Sequence, residues 1–213
     1  MKKQLTTATL LLAAAAAAQG AYVIEQLNTN ATFGNAATGQ SFKPSVGMVD
    51  DPGESTTTID LTSFSLWANG GTAAGTPLSR TVDTTYLLIY DANPSGAANL
   101  VGSSTNFLDL NPFPGTGFQM TWTFNNLTLD YDTTYFAVFS SSNTGTDAND
   151  IGVGLQVDNT NPYSGGTGLT NNFTVATTQD AKFSATFANP IPEPSATLLG
   201  GLGMLALLRR RRA

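Results

Sequence analysis

The sequence predicts an all-β body, an antiparallel β-sandwich, and three observations carry that prediction. Apolar residues alternate with polar ones at period two, clusters of Gly, Asn, Asp, Ser and Pro separate the alternating runs, and the body shows no apolar repeat at the helical period.

The strands are expected in the following order. Short runs at 22–27 and 40–42 open the body, and a longer one at 59–67 ends at the turn signal Asn69-Gly70-Gly71. Residues 85–90 are apolar at consecutive positions, as strands covered on both faces are, and 134–139 read the same way; both are expected near the sheet centre. Asp91-Ala92-Asn93-Pro94-Ser95-Gly96 turns the chain into a run at 100–102, and Asn111-Pro112-Phe113-Pro114-Gly115 makes the next turn. Met120, Trp122 and Phe124 then alternate with Thr121 and Thr123, and Ile151, Val153, Leu155 and Val157 alternate with Gly152, Gly154 and Gln156. Both patterns predict strands with one face inward. A run at 182–187 closes the body. About nine short strands without intervening helices give an antiparallel sandwich of jelly-roll type.

A leader and a tail flank this body. Met1-Lys2-Lys3 followed by a mostly apolar run at 5–18, with three leucines and then six alanines in succession, has the layout of a secretory signal peptide ending within 1–20. Cleavage fits after Ala18 or after Gly20, where small residues stand at the required spacing. Residues 21–194 hold three basic side chains, Lys43, Arg80 and Lys182, against fifteen acidic ones, a net charge of −12 that the formal −6 of the whole chain conceals. Such a body repels nucleic acid, whose binding needs clustered Lys and Arg.

The chain contains no cysteine and no histidine. Disulfides, thiol nucleophiles, Ser-His-Asp triads and His- or Cys-based metal sites are thereby excluded. The remaining hydrolytic route is a pair of carboxylates about 5 to 10 Å apart, as in glycoside hydrolysis. The acidic residues fall mostly in turns and no pair is marked out, so no enzyme activity and no cofactor are expected.

The tail runs Pro192-Glu193-Pro194, an apolar stretch at 196–208, then Arg209, Arg210, Arg211 and Arg212. A helix over 196–208 rises roughly 20 Å at about 1.5 Å per residue, short of a hydrocarbon core of about 30 Å, which fits a temporary anchor. Arginines at its end fix that end on the cytoplasmic side. These three parts, in this order over 191–213, resemble the PEP-CTERM sorting signal of exported Gram-negative bacterial proteins. The resemblance implies recognition by an exosortase-like membrane enzyme, a short transmembrane helix in transit, and delivery to the cell surface or the extracellular polysaccharide matrix. Gly200, Gly201 and Gly203 would let a second helix approach closely.

Across residues 40–140 a second, looser resemblance appears. Gly39-Gln40-Ser41-Phe42, Leu61-Thr62-Ser63-Phe64-Ser65-Leu66, Tyr86-Leu87-Leu88-Ile89-Tyr90-Asp91, Leu100-Val101-Gly102-Ser103, Trp122-Thr123-Phe124 and the segment from Leu127 to Phe136 follow one another as in bacterial choice-of-anchor surface domains. That likeness implies a jelly-roll module fused to an exchangeable anchor. Asp130-Tyr131-Asp132 departs from the Pro-containing turn of that family.

Candidate ligand chemistry is sparse. Asp50, Asp51 and Glu54 share one loop and are candidate Ca²⁺ ligands, with Asp147 and Asp150 in another, although neither loop has EF-hand spacing. The competing reading is a solubilising acidic surface. Trp67, Trp122, Tyr86, Tyr90, Tyr131 and Tyr135 are read as core at strand spacing, or as a sugar-stacking pair where two stand exposed. Asn30-Ala31-Thr32, Asn126-Leu127-Thr128 and Asn172-Phe173-Thr174 match the N-glycosylation pattern, with chance occurrence in a bacterial exporter as the competing reading. The expected role is an exported, non-enzymatic surface or matrix protein associated with exopolysaccharide; the alternative is a carbohydrate-binding module, with Ca²⁺ assisting.

Overall fold

A computed structural model describes residues 21–49, 57–69, 84–110, 115–145 and 151–188. The strands are β1 (Tyr22–Gln26), β2 (Ala31–Ala37), β3 (Gly39–Phe42), β4 (Met48–Val49), β5 (Thr58–Trp67), β6 (Tyr86–Tyr90), β7 (Leu100–Ser103), β8 (Gln119–Asp130), β9 (Tyr135–Ser140), β10 (Val153–Asp158), β11 (Gly168–Thr170), β12 (Thr174–Ala176), β13 (Asp180–Ala181) and β14 (Phe183–Ala188). A single 3₁₀ turn, Asn171–Phe173, separates β11 from β12. Every strand expected from the sequence is present.

The strands form a five-stranded sheet in the order β4-β1-β14-β5-β8, a six-stranded sheet in the order β12-β11-β3-β9-β6-β7, and a small sheet β13-β10-β2. All pairings are antiparallel. The two large sheets face each other across an aromatic core, which makes the body a β-sandwich. Phe42 of the six-stranded sheet lies 5.2 Å from Phe64 and 6.3 Å from Phe187 of the other, ring centre to ring centre. Trp122 and Phe139 meet across the same gap at 5.5 Å. Period-two patterning accounts for these contacts: in β14, Phe183, Ala185 and Phe187 are buried while Ser184, Thr186 and Ala188 are partly exposed.

β6 and β9 are covered on both faces, as their apolar runs require. Their outer sides, with Leu88, Tyr90 and Val138, pack under Leu169 and Phe173 of the β11–β12 hairpin. β10 departs from expectation. Its alternation predicts cover on one face, yet Val153, Gly154, Leu155, Val157 and Asp158 are all buried. The end of β5 runs against it: Ala68 bridges to Leu155, and the Asn69 N–H donates to the Gly154 carbonyl at 2.9 Å. β10 thus has a neighbour along both edges, β2 on one and β13 with the end of β5 on the other.

A buried polar network ties β3 to β13 and to the loop before β11. Gln40 Nε2 donates to Asp180 Oδ1 at 3.1 Å and to the Ser41 carbonyl at 2.9 Å, while its Oε1 accepts the Ala181 N–H at 2.8 Å. Asp180 Oδ2 accepts the Tyr163 N–H at 2.8 Å, and the Tyr163 hydroxyl bonds both the carbonyl and the N–H of Lys43. Burial pushes the Asp180 carboxyl up to about 6; the bonds from Tyr163 and Gln40 oppose that rise and the charge of Asp158 adds to it.

A carboxyl raised in the folded state binds its proton more tightly there than in the unfolded chain. Its contribution is therefore favourable below the ordinary value of 3.8 and is lost as pH rises to about 6, a change of about 3 kcal/mol at 1.36 kcal/mol per unit. Asp91, Asp132 and Asp158 are held below the usual range by hydrogen bonds and act in the opposite sense, losing stability as pH falls below that range. Urea unfolding from pH 4 to 7 should show stability declining with pH in the native chain and a flatter profile in Asp180→Asn. Parallel profiles for the two proteins would refute this account.

Candidate functional site

The outermost strands of the two large sheets, β7 and β8, come together at one seam of the sandwich. An open cleft of about 590 Å³ lies there. Asp91 and Asn99 reach it from the β6–β7 loop, Val101 from β7, Thr128 and Asp130 from β8, and Tyr135 from the start of β9. The local sequence accounts for each position. Asp91 follows the buried run of β6 directly, and Asp130 is the last residue of β8, so each carboxylate stands where a strand ends.

Hydrogen bonds fix the geometry. Asp91 accepts the Asn99 backbone N–H on Oδ1 and the Asn99 side-chain amide on Oδ2, both at 2.8 Å. Those bonds hold its carboxyl below the usual carboxylate range. The Tyr135 hydroxyl accepts the Asp130 backbone N–H at 2.8 Å. Burial pushes the Tyr135 phenol up, and the charges of Asp130 and Asp91 add to the rise, so both carboxylates act on the same point at the cleft floor. Beyond the cleft, Asp132 pairs with Lys43 at 2.7 Å and accepts from Ser45 at 2.8 Å.

The cleft offers carboxylate and amide groups, hydroxyls from Thr128 and Thr133, and an apolar strip of Ala92, Ala97 and Val101. That mixture suits a ligand with hydroxyls on its rim and a C–H face. Glycoside hydrolysis asks for more: one ionised carboxylate and one carboxyl kept protonated by its surroundings. Among the described residues the carboxyl pushed upward is Asp180, which is 0 % exposed and whose oxygens already accept from Gln40 and Tyr163.

The residues singled out from the sequence are distributed differently. Asp50, Asp51 and Glu54, like Asp147 and Asp150, lie outside the described residues, as do Pro192, Glu193, Pro194 and Arg209 to Arg212. Among the described residues no group of three or more acidic side chains is placed to hold a metal ion. Of the aromatic candidates, Trp122, Tyr90, Tyr131 and Tyr135 are buried core. Trp67 is half-buried beneath the Lys182 ammonium, 5.1 Å from its ring centre, and Tyr86 packs 5.8 Å from the exposed Phe107. Asp91 and Asp130 were legible as turn residues only; their convergence depends on which two sheet edges meet.

Among the described residues no helix is long and apolar enough to cross a membrane. A family model described as a PEP-CTERM protein-sorting motif matches residues 190–212. No curated protein and no solved structure matches the chain. The matched segment holds Pro192-Glu193-Pro194, the apolar stretch and the four arginines. A signal of this kind implies an exported protein handled by exosortase-type machinery. The chain therefore carries a PEP-CTERM protein-sorting motif at residues 190–212, joined to an all-β sandwich body.

Proposed function

We propose that this chain is a non-enzymatic surface or matrix protein of a Gram-negative bacterium, delivered by its tail and associated with exopolysaccharide. The observation that carries the reading is the three-part signal at 190–212. Residues 1–20 act as the leader, 21–190 as the working body and 191–213 as a sorting tail whose helix holds the chain in the inner membrane during transit. Pro192, Glu193 and Pro194 present the recognition motif, and Arg209 to Arg212 keep the far end cytoplasmic. The body serves as an acidic spacer that needs no resident cofactor. Its main strands lie in the orders β1-β14-β5-β8 and β3-β9-β6-β7, and the chain passes between the two large sheets as it builds them. That pattern supports a jelly roll of the choice-of-anchor kind.

Mass spectrometry of the protein from a wild-type strain and from one lacking the processing enzyme tests the sorting step. A mature C-terminus near Pro194 in the wild type, with Arg212 retained in the deficient strain, is the expected result. Arg212 retained in both would refute removal of the tail.

The seam cleft favours a second reading, carbohydrate binding by the body. Neutral and acidic glycans on an array should then separate, with anionic chains disfavoured by Asp91 and Asp130. Asp130→Asn is expected to lower affinity for a bound neutral glycan several-fold without altering thermal stability. Binding unchanged by Asp130→Asn would place the glycan elsewhere, and chelator in one arm reports any contribution of Ca²⁺ at Asp50, Asp51 and Glu54.

A further inference from the structure

The three Asn-x-Thr sequences stand in very different surroundings. Transfer of a glycan to asparagine requires a side-chain amide that an enzyme can reach, followed two residues later by a reachable hydroxyl. Asn30 fails on the first count: its Nδ2 donates to Asp158 Oδ1 at 3.0 Å and its Oδ1 accepts the Asn159 N–H at 2.9 Å. Asn172 and Thr174 are both exposed, but the segment between them is anchored. The residue that follows it, Phe173, is buried in the cluster with Leu88, Tyr90, Val138 and Leu169, so the segment cannot be drawn out without unpacking one face of the six-stranded sheet.

The Asn126 amide meets the first condition, and the Thr128 hydroxyl donates to Asp60 Oδ1 at 2.7 Å on the open surface. Asn126 is exposed, and so is Thr128. It lies on β8, the last strand of its sheet, downstream of the point where the Thr105 N–H bonds the Thr123 carbonyl at 2.7 Å. The β5–β8 register breaks here: Leu61 faces Leu127 and Ser63 faces Thr123, which leaves Phe124, Asn125 and Asn126 opposite Thr62. Asn126 adopts φ 49° within this bulge. Asparagine tolerates that left-handed conformation better than most side chains, and bulged edge residues stand clear of the ladder. Leu127, between the two sequon residues, is half-buried, and its methyls lie over Gly102. That anchor fixes the bulge so that the Asn126 amide faces solvent.

We propose that Asn126 is an N-glycan acceptor site, modified after export from a lipid-linked oligosaccharide pyrophosphate. In the transfer, the Asn126 Nδ2 forms a bond to the anomeric carbon and the bond from that carbon to the pyrophosphate oxygen breaks. The lipid pyrophosphate leaves, and the amide proton passes to a base of the transferring enzyme. The attached glycan would cover the bulged stretch of β8 downstream of the part bonded by Thr105 and Asn106, a position at which exposed strand backbone otherwise invites pairing with other chains. Thr128 lines the seam cleft, so the glycan would also stand at its lip.

Peptide mapping of the full protein recovered from the exported fraction of its own strain tests the site, with Asn126→Gln, Thr128→Val, Asn30→Gln and Asn172→Gln alongside. The peptide containing Asn126 is expected to carry added saccharide mass and to release sugar oxonium ions. That mass should vanish in Asn126→Gln and in Thr128→Val, and persist in Asn30→Gln and Asn172→Gln. Thermal melts of the purified proteins show whether each variant is folded. A native peptide at its unmodified mass, or saccharide that survives Thr128→Val in a folded protein, would overturn the assignment.

Discussion

Gly39→Ala is expected to prevent this protein from folding, or to cost more than about 3 kcal/mol if it folds at all. Gly39 lies in β3 with a strand on either side, opposite Val138 of β9 and Leu169 of β11. A Cβ there would stand 2.0 Å from the Ala137 carbonyl oxygen and 3.0 Å from the Val138 Cα. Both obstacles are backbone atoms in the middle of the six-stranded sheet. No side chain can swing aside to relieve them. A domain of this size is stable by about 5 to 15 kcal/mol, so a clash of that order removes much of the margin. Gly115 is the natural control, since a Cβ there would meet nothing within 4 Å. Urea unfolding should leave Gly115→Ala within about 0.5 kcal/mol of the native protein. A Gly39→Ala protein of native stability would mean that β3 and β9 do not meet in this register.

Trp122→Ala is the second large effect, with an expected loss of about 4 kcal/mol. Trp122 is 0 % exposed and fills the gap between the large sheets against Phe139, 5.5 Å away. Alanine would leave a cavity of nearly the whole indole, and surrounding rings cannot collapse into it without moving β8 and β9. The indole also donates from Nε1 to the Thr85 carbonyl at 2.9 Å. That carbonyl accepts the Leu108 N–H as well, at 2.9 Å, so it is not orphaned when the indole goes. Trp122→Phe should therefore cost only about 1 to 2 kcal/mol, keeping most of the volume and the contact with Phe139. Chemical denaturation of both variants separates the two contributions. Equal losses would point to the hydrogen bond rather than to packing.

How much of this was legible in the sequence depended on the range of the interaction. β8 and β14 were plain because strict alternation is a local property and the side chains that alternate are large. β6 and β9 were plain for the converse reason, their uninterrupted apolar runs demanding cover on both sides. β2 was invisible: Ala31–Ala37 contains Gly34-Asn35, a turn signal, yet it pairs with β10 because tertiary contacts override weak local preference. β11, β12 and β13 are too short to show any period. The sorting motif was fully legible, since its parts are contiguous and need no fold to bring them together. The seam cleft was not. Asp91 and Asp130 are 39 positions apart and meet only because the outermost strands of two different sheets close on each other.

β1 and β14 are antiparallel neighbours, with Tyr22 opposite Phe187, so the chain enters and leaves the sandwich at the same pole. β14 is also flanked on its other side by β5. A tug on the residues that follow Ala188 thus runs along a strand gripped from both sides, and its ladder bonds, lying across the pull, must give way all at once instead of in succession. Such a strand is hard to strip out. Load applied at that end would be borne by two neighbouring strands together.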